Sequence, residues 1–489
     1  MTGQRLDIEL LAGAAVLLVA VAGVRVANRF GVPSLLLYLG IGMLLGEDVI
    51  GIHFDNASLA RDYGLVALAL IVAEGGLTTR WRDIRPVLPA AVSLSTIGVA
   101  VSISVTAVVA HAVVGFDWRR SALTGALVSS TDAAAVFSTL RHLALPRRLV
   151  ALLEAESGLN DAPAVIAVTL LSSRHLHSGL NAFGSLAYEL AVGAAVGLAF
   201  AALGVAAMRR AALPAAGLYP LATLALALAS YAAAASLGAS GFLAIYLTAL
   251  ALGNADLPHR RATLGFADGI AWLAQIGLFV MLGLLAVPSR LPSAVVPALA
   301  IGGALVLVSR PLSILVSMPV GFGWRRQAFV SAAGLRGAVP IVLATIPITE
   351  RVHASARLFD VVVVLVALLT IVQAPTLSPL ARRLGVIQPD TGRELEVEAA
   401  PLDRLAADLL TVHLGARSRL HGVEIWELRL PETASVAFVV RDDRGFVPDR
   451  RTVLRHGDDV LVITSREVRA QVEQRIRAVG KRGRLAGFG

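Results

Sequence analysis

Three carboxylates within eight residues mark one apolar stretch of the chain as chemically unusual. Glu154, Glu156 and Asp161 lie in the sequence EAESGLNDAPA, which runs directly into the apolar VIAVTLLSS. On a helix Ser157 would share a face with Asn160 and Asp161, because residues three and four apart are neighbours there. An ionised carboxylate in lipid is costly unless it meets water, a cation or a counter-charge. The stretch therefore predicts a buried proton or cation site, with a polar cluster that ties helices together as the alternative.

A second polar cluster, SSTDAAAVFS, falls in the middle of another apolar span. It contains Ser129, Ser130, Thr131 and Asp132. Such side chains compete for backbone hydrogen bonds, so we expect the helix to be interrupted here. An unwound segment would free carbonyl oxygens to coordinate a cation, and the adjacent helix ends would add partial charges.

A third motif, SAAGLRGAVPIVLA, combines helix-breaking residues with an arginine at membrane depth. Gly334, Gly337 and Pro340 predict a broken helix around Arg336. A further arginine, Arg310, precedes a proline and is interpreted as the cytoplasmic end of a helix with a kink.

An arginine buried in a membrane needs an acid beside it. For Arg336 we expect Glu156, because that pairing leaves Asp161 free to take up a proton or a cation. Asp132 and Glu154 are the alternative partners.

The composition shows what kind of protein must position these residues. Of 489 residues, 56% are hydrophobic and only 16% are charged, which is typical of a protein that crosses a membrane many times. The fold class predicted is a polytopic α-helical membrane protein with inverted repeats and broken helices. About thirteen spans are expected, near residues 7–27, 33–50, 58–78, 85–112, 119–140, 148–173, 181–208, 215–236, 238–254, 262–287, 292–318, 324–348 and 356–381.

The charges predict the orientation of these spans. Alternate loops are rich in arginine, which places them and the C-terminus in the cytoplasm and the N-terminus outside. The same rule accounts for the net charge of +9, so no nucleic-acid partner is expected. The absence of cysteine excludes disulfides and cysteine-based metal sites.

The two predicted breaks fall in the fifth and twelfth spans. They are equivalent if spans 1–6 and 8–13 are inverted halves joined by the seventh. Interrupted helices at corresponding positions indicate a binding site near the bilayer midplane, as in secondary transporters. Glu74, at the end of the third span, either lies at the mouth of such a cavity or is structural.

The chain becomes polar after the last span. Residues 386–402 are predicted to be a linker and residues 403–485 a small cytoplasmic α/β domain. Strands are expected in VEIWELRL, SVAFVV and DDVLVITS, and an amphipathic helix in REVRAQVEQRIRAVG. A domain of about 80 residues has little room for an active site.

Several of these motifs together resemble a known family, the NhaP-type monovalent cation:proton antiporters. The similarity extends over residues 1–385 and is strongest for the potassium/proton antiporters of the cell-volume-regulation branch. The tail resembles the TrkA-C, or RCK C-terminal, regulatory module. The segments that carry the antiporter resemblance are EGGL (74–77), STDAAAVFS (130–138), EAESGLNDAPA (154–164), GFLAIYLTALALGN (241–254), LFVMLGLL (278–285) and GLRGAVP (334–340).

The resemblance implies a role for each residue of the predicted site. Asp161 would bind either the proton or the cation, and Asn160 belongs to the same ion site. Thr131, Asp132 and Ser157 would supply further oxygen ligands for the monovalent metal ion.

The resemblance also implies the activity. Glu156 and Arg336 would form an internal ion pair, and the Asn-Asp pattern would give electroneutral, one-for-one exchange. The transported ions would be K⁺ or Na⁺ and H⁺, with no cofactor and no enzymatic reaction. The protein would be a homodimer in the cell membrane whose tail binds a nucleotide-type ligand. A ligand-gated cation channel is the alternative function, opposed by the lack of a TVGYG-like filter.

Overall fold

The computed structural model divides the chain into two compact units, Met1–Ile387 and Gln388–Gly489. The residues that the structure describes are 2–30, 34–140, 143, 145–173, 179–318, 322–387, 395–402, 407–415, 418–442, 444–465 and 467–482.

The first unit is built from helices joined by short loops. In chain order the helices are α1 (Thr2–Phe30), α2 (Ser34–Leu45), α3 (Ala57–Thr78), α4 (Trp81–Ile84), α5 (Leu88–Ser93), α6 (Val99–Val114), α7 (Trp118–Leu127), α8 (Ala133–Leu140), α9 (Arg147–Ser172), α10 (Gly179–Arg210), α11 (Leu218–Ser236), α12 (Gly241–Asn254), α13 (Arg260–Leu285), α14 (Val295–Ala304), α15 (Arg310–Ser317), α16 (Trp324–Ala332), α17 (Ala338–Leu343), α18 (Thr345–Thr349) and α19 (Ser355–Arg383).

The described residues contain six continuous helices that are long and apolar enough to cross a membrane, and four shorter apolar helices. The apolar, membrane-spanning class predicted from composition is therefore present, but the count of thirteen is not confirmed. The six long helices are Leu88–Val114, Asn181–Arg210, Leu218–Ser236, Arg260–Leu285, Pro288–Ser317 and Ser355–Leu384.

Both predicted helix breaks are present. One separates α7 from α8 between Leu127 and Ala133, and the other separates α16 from α17 between Ala332 and Ala338. Both gaps contain polar or glycine residues. The backbone groups there bind partners other than the next helical turn, and this interrupts each helix.

Two of the long helices contain a π-helical turn, Leu94–Gly98 between α5 and α6 and Leu305–Ser309 between α14 and α15. These two helices contact each other: Ser313 of one donates a hydrogen bond to the carbonyl of Gly98 of the other at 2.8 Å. The prediction that Arg310 ends a helix at the membrane surface is wrong. Arg310 lies inside the continuous Pro288–Ser317 span, and it is only 4% exposed.

Small residues bring α2, α3, α12 and α13 close together. A Cβ added to Gly42 of α2 would lie 2.8 Å from the Cα of Gly283 on α13. A Cβ added to Gly76 of α3 would lie 2.8 Å from the Cβ of Ala249 on α12. Such approaches let backbones pack closely where no hydrophobic effect drives helices together. The packing places α3, α12 and α13 side by side around the site described below.

The second unit is a five-stranded antiparallel sheet with one helix. The strand order is β1-β2-β5-β3-β4, and the apolar face of the helix packs into the same core as the strands. The elements are β1 (Leu395–Leu402), β2 (Ala407–Leu414), β3 (Ala434–Arg441), β4 (Arg444–Phe446), β5 (Asp459–Ser465) and α20 (Arg469–Arg482).

Two expectations for the tail are wrong. The predicted linker 386–402 includes β1, which pairs with β2 over its whole length; residues 388–394 and 403–406 lie outside the described residues. The segment VEIWELRL contains a short 3₁₀ helix, Ile425–Leu428, instead of a strand. Its capping box explains this, because Glu424 and Glu427 each bind the other's backbone N–H and so favour a helical turn.

Candidate functional site at the crossing of two broken helices

The two unwound segments touch each other at the centre of the first unit. The backbone N–H of Asp132 donates to the carbonyl of Leu335 at 2.9 Å. Arg336 Nη1 donates to the carbonyls of Ser130 at 2.7 Å and Ser129 at 3.2 Å. These carbonyls follow the last turn of α7, where helical acceptors lack partners. The guanidinium therefore neutralises the negative end of a half-helix at the crossing.

The carboxylate of Asp161 faces the first unwound segment. Asp161 is 5% exposed, and its Oδ1 accepts a hydrogen bond from Ser130 Oγ at 2.6 Å. Its neighbour Asn160 donates from Nδ2 to Thr131 Oγ1 at 2.7 Å. Asp161 is held by a neutral hydroxyl and forms no ion pair with a described arginine. Among the described residues it is thus an ionisable group without a fixed counter-charge.

The remaining predicted ligands complete the same cluster. Ser157 Oγ donates to the carbonyl of Thr131 at 2.9 Å and accepts from the N–H of Ala133 at 3.2 Å. Asp132 Oδ1 accepts from the N–H of Ala135 at 3.1 Å, at the start of α8. The residues predicted to bind the cation and the proton therefore come together: Asp161, Asn160, Asp132, Thr131 and Ser157.

The internal ion pair has a different arginine from the one predicted. Glu156 binds Arg310, with Nη1–Oε1 at 2.6 Å and Nη2–Oε2 at 3.3 Å, and Arg310 Nη2 also donates to the carbonyl of Val330 at 3.3 Å. Gly334 makes room for this guanidinium, since a Cβ there would lie 2.9 Å from its central carbon. The predicted pairing of Glu156 with Arg336 is wrong.

Arg336 is fully buried, yet it binds no carboxylate of the described residues. Its Nη1 is used by the two carbonyls of the first broken helix, and its Nε and Nη2 have no hydrogen-bond partner within the described part of the chain. Neither alternative partner, Asp132 or Glu154, accepts a hydrogen bond from it. Backbone dipoles thus take the place of the expected acid.

Arg310 is the site residue whose role the sequence analysis missed. A signal was present, because a charged residue lies seven positions before the end of a 30-residue apolar span. A charge at such depth normally faces the interior of a helix bundle. The following proline obscured this signal by suggesting a helix end.

A cavity of about 240 Å³ gives access to the crossing. It is enclosed by α3, α9, α12, α13 and α17 together with the first unwound segment. The walls of the cavity include Asp161 and its neighbours Thr131, Asp132 and Ser157, and also two further acids, Glu74 and Glu154. Water and small cations in the cavity can therefore reach Asp161. Polar residues of the lining are Glu74, Thr78, Thr79, Thr131, Asp132, Glu154, Ser157, Asp161, Tyr246 and Gln275.

Crossed broken helices around a buried acid in an oxygen-lined cavity are the arrangement of an ion-coupled secondary transporter. Comparison with known proteins agrees with this class. The family model for the transmembrane region of sodium/hydrogen exchangers matches residues 15–383, and the TrkA-C domain model matches residues 409–477. The chain belongs to the sodium/hydrogen exchanger family and is a cation:proton antiporter, so the predicted resemblance is confirmed for both units.

Individual relatives match most of the chain. The K(+)/H(+) antiporter NhaP of Alkalimonas amylolytica is 35% identical over 472 residues, covering 94% of this chain and 82% of that protein. The K(+)/H(+) antiporter NhaP2 of Shewanella oneidensis is 36% identical over 486 residues, with coverage of 95% and 82%. The structure of the sodium proton antiporter MjNhaP1 from Methanocaldococcus jannaschii at pH 8 has the same fold, with a TM-score of 0.67, 22% identity, and coverage of 77% of this chain and 99% of that one.

Proposed function

We propose that this protein exchanges one monovalent cation for one proton, with Asp161 as the group that binds both in turn. The observation that carries the proposal is the setting of Asp161. It lies buried at the wall of the cavity, bound by the hydroxyl of Ser130 and by no arginine of the described chain. A proton and a cation can each neutralise this carboxylate, but not both together.

The charges at the crossing support one-for-one exchange. At the crossing itself Arg310 pairs with Glu156, and the buried charge of Arg336 balances that of Asp132 without a hydrogen bond to it, which leaves the negative charge of Asp161. The acids Glu74 and Glu154 line the cavity outside the crossing. An uncompensated charge in a low-dielectric core is costly. The transporter would therefore change between inward and outward states only after Asp161 has bound one proton or one monovalent cation. Asn160 adds hydrogen bonds without a second titrating charge, so each cycle would be electroneutral.

The oxygen atoms around Asp161 suit an alkali-metal ion. Hydroxyl, carboxylate and carbonyl oxygens can replace part of the hydration shell of Na⁺ or K⁺. Thr131, Asp132 and Ser157 present such oxygens on the side of Asp161 that faces the cavity. Because the relatives that match over both units are named K(+)/H(+) antiporters, we infer that K⁺ is transported, with Na⁺ as a competing substrate.

The proposal includes the setting in the cell. Residues 1–385 would form the antiporter domain in the cell membrane, with the N-terminus outside and the tail in the cytoplasm. The active protein would be a homodimer, and the tail at 403–485 would bind a nucleotide-type regulatory ligand. The TrkA-C match supports a regulatory role for the tail, and light scattering in detergent tests the dimer.

Vesicle transport measures the central claim. A pH-sensitive dye in inside-out vesicles should report collapse of a proton gradient on addition of K⁺ or Na⁺. Asp161→Asn should abolish this response, whereas Asp55→Asn, an exposed loop acid, should leave it unchanged. Cation-dependent proton flux retained in Asp161→Asn would refute the role of Asp161. A current through a planar bilayer at zero pH gradient would refute electroneutral exchange and favour the channel alternative.

A further inference from the structure

Two cavities meet at Glu154. The cavity that reaches Asp161 is joined by a second one of about 220 Å³, and Thr78 and Glu154 line both. The second cavity is lined by Arg80, Asp83 and Arg147, which lie in or beside the short α4 and at the first residue of α9. Glu154 therefore lies where a cation that enters from these helix ends would come into the inner cavity.

Glu154 lies on the same face of α9 as the transport carboxylate. Glu154, Gly158 and Asp161 follow each other at spacings of four and three, and all three line the inner cavity. The rise of a helix puts Glu154 about 10 Å from Asp161 along the axis. This separation is too long for one ion to touch both carboxylates, so the two acids can hold a cation only in succession.

Tyr246 of α12 faces the same stretch of the cavity. A Cβ on Gly158 would lie within 3.0 Å of three ring atoms of Tyr246, so the glycine lets the ring pack against α9. Tyr246 is only 3% exposed, and its hydroxyl makes no hydrogen bond of 3.5 Å or less to a described residue, with the hydroxyl of Thr79 as a polar neighbour. A buried phenol without a partner is unusual, because burial removes the water that would otherwise bind it. The cavity is the space from which a partner can come.

The carboxylate of Glu154 likewise lacks a hydrogen-bond partner among the described residues. It forms no hydrogen bond and no ion pair with any residue that the structure describes. The hydroxyl of Thr78 donates to the carbonyl of Glu74 at 3.0 Å, and that of Thr79 donates to the carbonyl of Gly75 at 2.5 Å. Both hydroxyl oxygens can still accept a hydrogen bond or contact a cation. The inner cavity thus offers the carboxylates of Glu154 and Glu74 together with hydroxyl oxygens, whereas the arginines Arg80 and Arg147 line only the second cavity.

We propose that Glu154 and Tyr246 form an outer subsite that holds a partly dehydrated K⁺ or Na⁺ on its way to Asp161. The inference rests on the proposed antiport function and adds a second binding position to it. The Glu154 carboxylate supplies the charge, and the Tyr246 and threonine oxygens replace part of the hydration shell. The subsite raises the local concentration of the cation beside a crossing that binds one ion at a time.

Transport kinetics test the subsite. Glu154→Gln should raise the apparent KM for K⁺ and Na⁺ about tenfold, because a charge contact with the ion is lost, and should leave the maximal rate within about twofold. Tyr246→Phe should raise the apparent KM less, by about threefold, since only a neutral ligand is removed. Glu350→Gln, the same change at an exposed acid, is the matched control and should change neither parameter.

Three results would overturn the proposal. One is an unchanged KM in both variants, and another is an equal rise in KM in the control. The third is a fall in the maximal rate of Glu154→Gln at constant KM, which would make Glu154 a proton carrier instead. If Glu154→Gln does not reach the membrane, Tyr246→Phe and Glu154→Asp serve as the test variants. Glu154→Asp keeps the negative charge, so its apparent KM should rise less than the tenfold expected for Glu154→Gln.

A binding experiment separates this proposal from the proposed function. Cryo-EM or anomalous diffraction of the purified Asp161→Asn protein with Tl⁺, which replaces K⁺, should show an ion between Glu154 and Tyr246. Absence of that ion, with transport abolished by Asp161→Asn, would overturn the subsite alone. Transport retained by Asp161→Asn would overturn the proposed function whether or not Tl⁺ binds at Glu154.

Discussion

Glu156 on α9 and Arg310 on α15 form a two-point ion pair in the core of the membrane unit. Arg310 Nη1 lies 2.6 Å from Glu156 Oε1, and Arg310 Nη2 lies 3.3 Å from Glu156 Oε2. The side chains are 2% and 5% exposed, so neither charge has water as an alternative partner. The pair connects α9, which carries Asp161, to α15, and Arg336 binds the carbonyls of the first broken helix instead.

The first prediction concerns the stability of this pair. Arg310→Met should lower the free energy of unfolding by about 3–5 kcal/mol, because Glu156 would remain buried without a counter-charge. The double variant Arg310→Met with Glu156→Met should recover much of this loss, since no charge is then stranded. Thermal unfolding in detergent measures both. A double variant less stable than Arg310→Met alone would contradict the ion pair.

The second prediction concerns the contact between the two broken helices. Gly337→Ala should reduce transport at least about tenfold, because the new Cβ would lie 2.6 Å from the carboxyl carbon of Asp132 and force the crossing apart. Cation-dependent proton flux into vesicles measures the loss. The flux is divided by the amount of folded protein in the membrane, so that poor folding of the variant is not counted as lost transport. Gly265→Ala is the control, since a Cβ there meets nothing within 4 Å. Normal transport by Gly337→Ala would show that the crossing tolerates separation.

The third prediction concerns the tail. Asp458 is fully buried and accepts two hydrogen bonds from Arg441, both at 2.7 Å, and one from the N–H of Arg455 at 2.8 Å. The hydrogen bonds with Asp458 raise the pKa of Arg441 further, so the guanidinium stays charged. Asp458→Ala should destabilise the sheet by about 2–3 kcal/mol, since it removes three hydrogen bonds to a buried carboxylate and leaves Arg441, whose side chain is 22% exposed, without its acid.

Hydrogen exchange of the full-length protein measures that destabilisation locally. Amides of β3 and β5 should exchange faster in Asp458→Ala, whereas Glu432→Gln, an exposed acid in the same unit, should leave them unchanged. Unchanged protection of β5 in Asp458→Ala would mean that the buried pair contributes little to the fold of the tail.

The sequence by itself determined the class of the protein, the positions of both helix breaks and the residues that gather around Asp161. These properties follow from local composition. Apolar runs set the spans, serine, threonine and glycine interrupt helices wherever they occur together, and helical spacing puts Ser157 and Asp161 on one face. In the tail the same local signals predicted β3, β5 and α20.

Only the tertiary structure decided which arginine meets Glu156 and what Arg336 binds instead. Two buried arginines compete for one acid, and their sequence positions carry no information about which of them can reach it. The π-helical turn before Arg310 alters the helical phase and so the direction of its side chain, while the unwound backbone holds Arg336 beside the free carbonyls of Ser129 and Ser130. β1 inside the expected linker is a different case, because its partner β2 follows it closely in the chain but was not predicted as a strand either. The contact between Glu156 and Arg310 joins residues 154 positions apart, so only the packing of the helices decides it.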